Sequence, residues 1–489
     1  MANQGKRQGV LLGILVLVTC AALGLARVAP GNPGGHAGSG SGIRDGQGSV
    51  QDPPPTGDVT VSARLLQDMV YAMGDRVVPV ELTIMAGPSP ETGGTVGRNV
   101  DMVIVMDRSG SMGGTKIRDA REAAKRLLDE LGDRDRFALV SYSSDVRTDA
   151  KLVNVDGGHR PMLENAVRNI RAGGGTNLGG GLDVAIRLLE NTPRTGNTAK
   201  IVLISDGHAN EGVVHPVALG EMASRALPGE FAVSTVGVGT DFNEVLMTTI
   251  ADRGAGTYHF LDDPGLFASV FMEELGASRA VAASSLEVRL PLPPGALVRE
   301  ASGYPVTMEG NVAVFHPGEV YHGRSRRLFV RVALPGTDAD SFDLSGIELA
   351  WKDKGVARTA RAPEKLVVAC VDDEDEARAS VDLEVRERLG YQEGLNRMRE
   401  EVAGFIRSGD RDAAQASIRE YAEKQIALTR QVRGAPAAAR LESEVDGLRD
   451  MVDSTFAGSA PEVAKKRKAN SLDINNRAYK GRRDKAFDK

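Results

Sequence analysis

Asp107, Ser109 and Ser111 stand in D-x-S-x-S order directly after the apolar run Val103–Met106. One carboxylate and two hydroxyls on a short loop are hard oxygen donors. They suit Mg²⁺, Mn²⁺ or Ca²⁺ rather than zinc. Two later segments offer the same chemistry. The run Ile201–Ile204 ends in Ser205-Asp206-Gly207, a second carboxylate at a strand end. Gly173-Gly174-Gly175 precedes Thr176, a third hydroxyl on a loop whose glycines let the backbone pass close to an ion. The only cysteines are Cys20 and Cys370, which excludes a zinc ribbon, a Cys-ligated cluster and a disulfide-stapled scaffold.

These loops need elements to hold them. From Val100 on, apolar runs alternate with amphipathic stretches. The runs are Val103–Met106, Phe137–Val140, Ile201–Ile204, Phe231–Val238 and Tyr258–Leu261. The stretches are Ile117–Leu131, Met162–Ile170, Leu182–Leu189, Pro216–Ala226, Asn243–Ala251 and Leu266–Leu275. Continuous apolar strands between helices predict a mostly parallel sheet covered on both faces. Residues 99–278 are therefore expected to form one doubly wound α/β domain. In such a sheet a ligand site falls at the carboxyl ends of the strands, where these three loops lie.

The ordered set Asp107, Ser109, Ser111, Thr176 and Asp206 resembles the metal-ion-dependent adhesion site of the von Willebrand factor type A domain. Asp107 or Ser109 alone would also fit a helix cap, but five positions in order between strands and helices are far more specific. The resemblance covers Val100 to Ala277 and implies a Rossmann-like fold. It implies that Ser109 and Ser111 bind a divalent metal directly. Thr176 would bind directly in an open state and through water in a closed one. Asp107 and Asp206 would act mostly through water. Two carboxylates set one step back leave the ion electrophilic, and an Asp or Glu of a protein partner completes its coordination. The implied function is metal-bridged protein binding, in adhesion or complex assembly. Service as a regulatory or assembly subunit of an ATPase or channel complex is the alternative, and a metal-dependent hydrolase the third reading.

Enzyme signatures fail. Gly114-Thr115-Lys116 is not the Gly-Lys-Ser/Thr of a phosphate loop, and Arg108-Ser109-Gly110 is not a nucleophile elbow. No H-E-x-x-H occurs. The chain is thus expected to bind rather than catalyse. Arg108 is expected in solvent, as are the loop histidines His208 and His215. Cys370 is expected to be a small buried apolar residue. Asn177 and Ser143 are polar loop residues that could line the site.

The flanks read differently. Residues 59–98 and 279–371 alternate with a period of two, broken by prolines, which predicts an antiparallel β-sandwich with the α/β domain inserted beside it. This pairing resembles inter-α-trypsin-inhibitor heavy-chain-like and related bacterial proteins. Residues 372–458 have helical periodicity with stops at Gly409 and Gly434. Residues 459–489 form a basic tail, expected to be solvated. At the other end, Lys6 and Arg7 precede an apolar run to Ala26, the pattern of an export signal or signal anchor over residues 1–26. A Gly/Pro-rich linker follows over 27–58.

The chain has 489 residues, enough for several domains. Its net charge of -6 and its 4% aromatic content argue against a nucleic-acid partner. Contact with a membrane is expected only through the N-terminal segment. Export to a bacterial periplasm, retention at its membrane, or release outside the cell fits these features.

Overall fold

The runs Val100–Asp107, Thr198–Ser205 and Phe231–Val238 are buried at every position, as only strands covered on both faces can be. In the computed structural model they form the centre of a six-stranded sheet. The structure describes residues 58–89, 98–193, 196–336, 341–381 and 383–483. The expected export segment, and the linker apart from Asp58, lie outside these residues. No described helix is long and apolar enough to cross a membrane.

The sheet order is Val146–Asn154, Arg136–Tyr142, Val100–Asp107, Thr198–Ser205, Phe231–Val238, Ala255–Leu261. All neighbours are parallel except the first pair. The chain first builds outward from Val100–Asp107 on one side and then on the other. Strand order therefore reverses at that strand, which opens a crevice beyond its carboxyl end. Alternate side chains feed two cores. Met102, Ile104 and Met106 pack with the helices Thr115–Glu130 and Phe267–Arg279. Val103 and Val105 pack with the helices Leu178–Glu190, Pro216–Ser224 and Glu244–Arg253.

The strand Val77–Ala86, ahead of this domain in sequence, pairs along its length with Ser325–Ala333, behind it. The α/β domain is thus an insertion in a sandwich of one four-stranded and one five-stranded antiparallel sheet. A third, small sheet carries one parallel pair, Val367–Val371 with Met69–Tyr71, where only antiparallel pairing was expected. Cys370 lies in this strand and is half-buried against the sandwich core rather than within it, because the strand is short and peripheral.

A buried polar cluster ties the two domains. Lys200 Nζ lies 3.0 Å from Glu274 of the α/β domain and 3.3 Å from Glu319 of the sandwich. Glu274 also meets His259 Nε2 at 2.6 Å and the Ser234 hydroxyl at 3.0 Å.

The carboxyl-terminal region holds the main correction. Of the basic segment 459–489 expected in solvent, the described part is instead the helix Ala460–Arg483, which packs on Leu395–Ser408, and residues 484–489 lie outside the described ones. Two of the helix's cations are taken up by other helix ends, and Lys468 pairs with Asp241. Arg467 donates to the carbonyls of Ile406 and Arg407 at 2.9 and 2.8 Å, and Lys466 to those of Ser454 and Ala457 at 3.1 and 2.8 Å. Cations at helix C-termini satisfy orphan carbonyls and complement the dipole. The other face of this helix sends Leu472 and Tyr479 into the core of the α/β domain. Tyr479 stands edge-on to Tyr258, with centroids 5.5 Å apart, and donates to Asp252 at 2.8 Å.

Candidate metal centre

Three loops meet at the carboxyl ends of the central strands. The D-x-S-x-S loop and the glycine loop are tied by two backbone bonds, Gly110 N to Gly174 O at 3.1 Å and Gly173 N to Arg108 O at 2.7 Å. Gly174 has φ 87°, a conformation that disfavours any side chain. It lets the chain turn against Ser143 and Ser144. The next residue, Thr176, is buried, and its N–H donates to Asn210 Oδ1 at 2.8 Å, which links the third loop. Asn177 then caps the following helix by accepting from Gly180 N at 3.0 Å. That helix begins at Leu178, four residues before the apolar pattern suggests, because its first turn is a run of glycines. Gly181 is required there: a Cβ would stand 2.7 Å from the ring of Tyr142, itself pinned by a 2.6 Å bond from its hydroxyl to Ile204 O.

Four of the expected donors come together, with Thr176 on the loop bonded to theirs. The Ser109 and Ser111 hydroxyls lie 3.0 Å apart. Ser111 donates to Asp206 Oδ1 at 2.7 Å. Asp107 is wholly buried, accepting from Ser109 N–H at 2.8 Å and from the Ser205 hydroxyl at 3.1 Å. Burial pushes its carboxyl up to about 6, with Asp206 adding to the rise and the Ser109 bonds opposing it.

Three residues in this network went unassigned in the sequence. Lys116, noticed there only within a failed phosphate loop, places Nζ 2.5 Å from Asp206 Oδ2. Ser205 orients Asp107, and Asn210 holds Thr176. None carries a local signal, since each partner is tens of residues away. Arg108 is a further correction. It is buried, not solvated, because its guanidinium lies along the neighbouring strand, bonded to Ser141 Oγ at 3.2 Å and to Asp145 at 2.5 Å. That pairing, with Arg147, holds Asp145 well below the usual carboxylate range. Ser143 also bonds Asp145, at 3.1 Å. His208 and His215 are exposed.

The donor set is oxygen throughout. Among the described residues no group of three His, Cys, Asp or Glu is placed to hold an ion. A cation at this centre would have to rely on hydroxyls with two carboxylates behind them, and such a set fits a hard divalent ion. Beside the centre, a cleft of about 460 Å³ is lined by His208, Phe242, Arg407, Arg467, Lys468 and Leu472.

A doubly wound sheet with this strand order and this loop cluster at its switch point defines the class. Residues 101–273 match the family model of the von Willebrand factor type A domain, and the chain carries such a domain. This class of domain generally mediates protein–protein interaction. The chain is 33% identical over 168 residues to the uncharacterized protein YfbK of Escherichia coli (strain K12), covering 33% of this chain and 28% of that protein. It is 30% identical over 196 residues to human inter-alpha-trypsin inhibitor heavy chain H4, covering 38% of this chain and 21% of that one. It thus spans less than a third of either relative. Among solved structures, a von Willebrand factor type A protein from Catenulispora acidiphila matches with TM-score 0.65 at 22% identity, over 88% of this chain and 99% of that one. At that identity the likeness is one of fold, and it reaches beyond the type A domain.

Proposed function

We propose that this chain is a divalent-metal-dependent protein-binding protein of the cell envelope. The observation that carries the reading is the meeting of Asp107, Ser109, Ser111 and Asp206 at the switch point of the sheet, joined by the Ser109–Ser111–Asp206 hydrogen bonds, with the loop of Thr176 tied to theirs through Gly110 and Gly174. A divalent ion, Mg²⁺ by preference, supplies an electrophilic position for an Asp or Glu carboxylate of the partner. The residues of the chain do the rest. Ser109, Ser111 and Thr176 provide the nearest oxygens. Asp107 and Asp206 balance charge from behind while orienting the hydroxyls. Gly110 and Gly174 hold the two loops in register.

Binding is favoured over catalysis because the carboxylates serve to orient the centre's own groups: Asp107 accepts from Ser109 and Ser205, and Asp206 from Ser111 and Lys116. The N-terminal residues 1–26 support export, to the periplasm or the membrane face.

The test is capture by the immobilised protein from envelope extract in Mg²⁺. The reading expects a partner that is retained in Mg²⁺, released by chelator and not retained by Asp206→Ala. Retention that ignores both chelator and substitution would overturn it.

A further inference from the structure

Lys116 occupies an unusual place for a cation. It lies in the first turn of the helix Thr115–Glu130, at the positive end of the helix dipole. That turn has no acidic residue, and its cap, Gly114, offers no side-chain acceptor. Helix energetics alone therefore disfavour an ammonium there. What holds it is Asp206. Nζ lies 2.5 Å from Oδ2 while Ser111 occupies Oδ1, so both oxygens of this buried carboxylate are taken. The lysine is itself largely shielded, with 27% of its side chain exposed.

Resting on the reading of this cluster as a metal centre, we propose that Lys116 is its resident counter-cation, which weakens metal binding and couples it to the arrival of an anionic ligand. The charge count is the reason. Asp107 and Asp206 carry two negative charges, and Lys116 cancels one. A divalent ion entering the cluster meets one net negative charge rather than two, and it must compete with the ammonium for Asp206. Once it is bound, the cluster carries one positive charge in excess. An incoming carboxylate brings the sum to zero. Metal alone is held loosely, and metal with a carboxylate is held firmly. A neutral residue at 116 would reverse this order: metal would bind tightly without the ligand, and the added carboxylate would gain little.

The experiment is calorimetric titration of the chelator-stripped full-length chain with Mn²⁺, with and without saturating acetate as the carboxylate probe. It compares the wild type with Lys116→Met, Lys116→Gln and Lys116→Arg. Thermal unfolding in chelator serves as a second readout. The proposal expects Lys116→Met and Lys116→Gln to bind Mn²⁺ about tenfold or more tighter than wild type, the order expected for removing a nearby cation from a partly buried site. Lys116→Arg should keep wild-type affinity. Acetate should tighten Mn²⁺ binding in the wild type and much less in Lys116→Met. In chelator, Lys116→Met should unfold at a lower temperature, because Asp206 loses its cation, and Mn²⁺ should close the gap. Binding by the wild type with no gain in either neutral variant overturns this role and leaves the metal reading intact. Binding seen only in the neutral variants supports it. Absence of binding in every folded variant overturns both. Met and Gln differ in shape, so failure of one to fold leaves the other to decide.

Discussion

The hydroxyl of Ser111 donates to Oδ1 of Asp206 at 2.7 Å, joining across 95 residues the loops that follow the neighbouring strands Val100–Asp107 and Thr198–Ser205. This bond holds a donor loop against a strand-end carboxylate, and it makes the geometry of the centre a property of the folded domain. Ser111→Ala leaves Oδ1 without that donor. The expected loss of stability is about 1–2 kcal/mol in chelator, measured by urea unfolding, together with loss of Mg²⁺-induced stabilisation.

Gly181 makes the opposite demand from an ordinary helix glycine. Replacing glycine by alanine in a helix normally stabilises by about 1 kcal/mol. Here the new Cβ would lie 2.7 Å from the Tyr142 ring. Gly181→Ala is expected to destabilise the domain by about 1–3 kcal/mol through overpacking, read as a lower melting temperature. Gly404 is a helix position with open space around its Cβ, so Gly404→Ala should show the ordinary sign.

Lys200 is the only cation within 4 Å of both Glu274 and Glu319 among the described residues, and all three are buried. Lys200→Met would take the shared cation from both carboxylates and leave Glu274 with His259 and Ser234 alone, and the expected loss is about 3–5 kcal/mol. Denaturant unfolding at neutral pH checks it. A loss below the error of that measurement would mean that water reaches the cluster.

The same cluster sets an acid limit. Burial works against the charged form of Glu274, yet Lys200 and His259 hold its carboxyl down to about 2 from an ordinary 4.5. The folded value is the lower one, so the unfolded chain takes up the proton first. The stabilisation is present above about 4.5 and is lost as pH falls from there towards 2. Stability measured across that window should fall less steeply in Glu274→Gln than in wild type.

Tyr479 fastens the final helix to the α/β domain. Tyr479→Ala removes a buried ring and the bond to Asp252, and it is expected to lower stability by about 3 kcal/mol. Hydrogen exchange should quicken over Ala460–Arg483 more than over the central sheet. Tyr479→Phe, which keeps the ring, should show about 1 kcal/mol or less.

Much of this architecture is legible in the chain itself. Strands buried on both faces leave apolar runs, and Val103–Met106 and Phe231–Val238 announce themselves that way. Val146–Asn154 does not, because it is a half-exposed antiparallel edge with polar residues at most positions. The D-x-S-x-S loop, Thr176 and Asp206 are visible because each follows or precedes a recognisable element. Lys116 and Arg108 are not, because a long cation looks the same in sequence whether it extends into water or folds onto a carboxylate. The basic cluster at Lys465–Lys468 misleads in part: its lysines are exposed as their charge suggests, but Lys466 and Arg467 reach the helix-end carbonyls of Ser454, Ala457, Ile406 and Arg407, and Lys468 pairs with Asp241.

The central claim is that Asp107, Ser109, Ser111, Thr176 and Asp206 together hold a divalent cation. Calorimetric titration of chelator-stripped protein with Mg²⁺ and Mn²⁺ tests it most directly. The account predicts one ion per chain, with binding abolished in Asp107→Ala and Asp206→Ala variants that remain folded. Absence of binding in the wild type and in Lys116→Met alike, or binding that survives unchanged in Asp107→Ala, would contradict it.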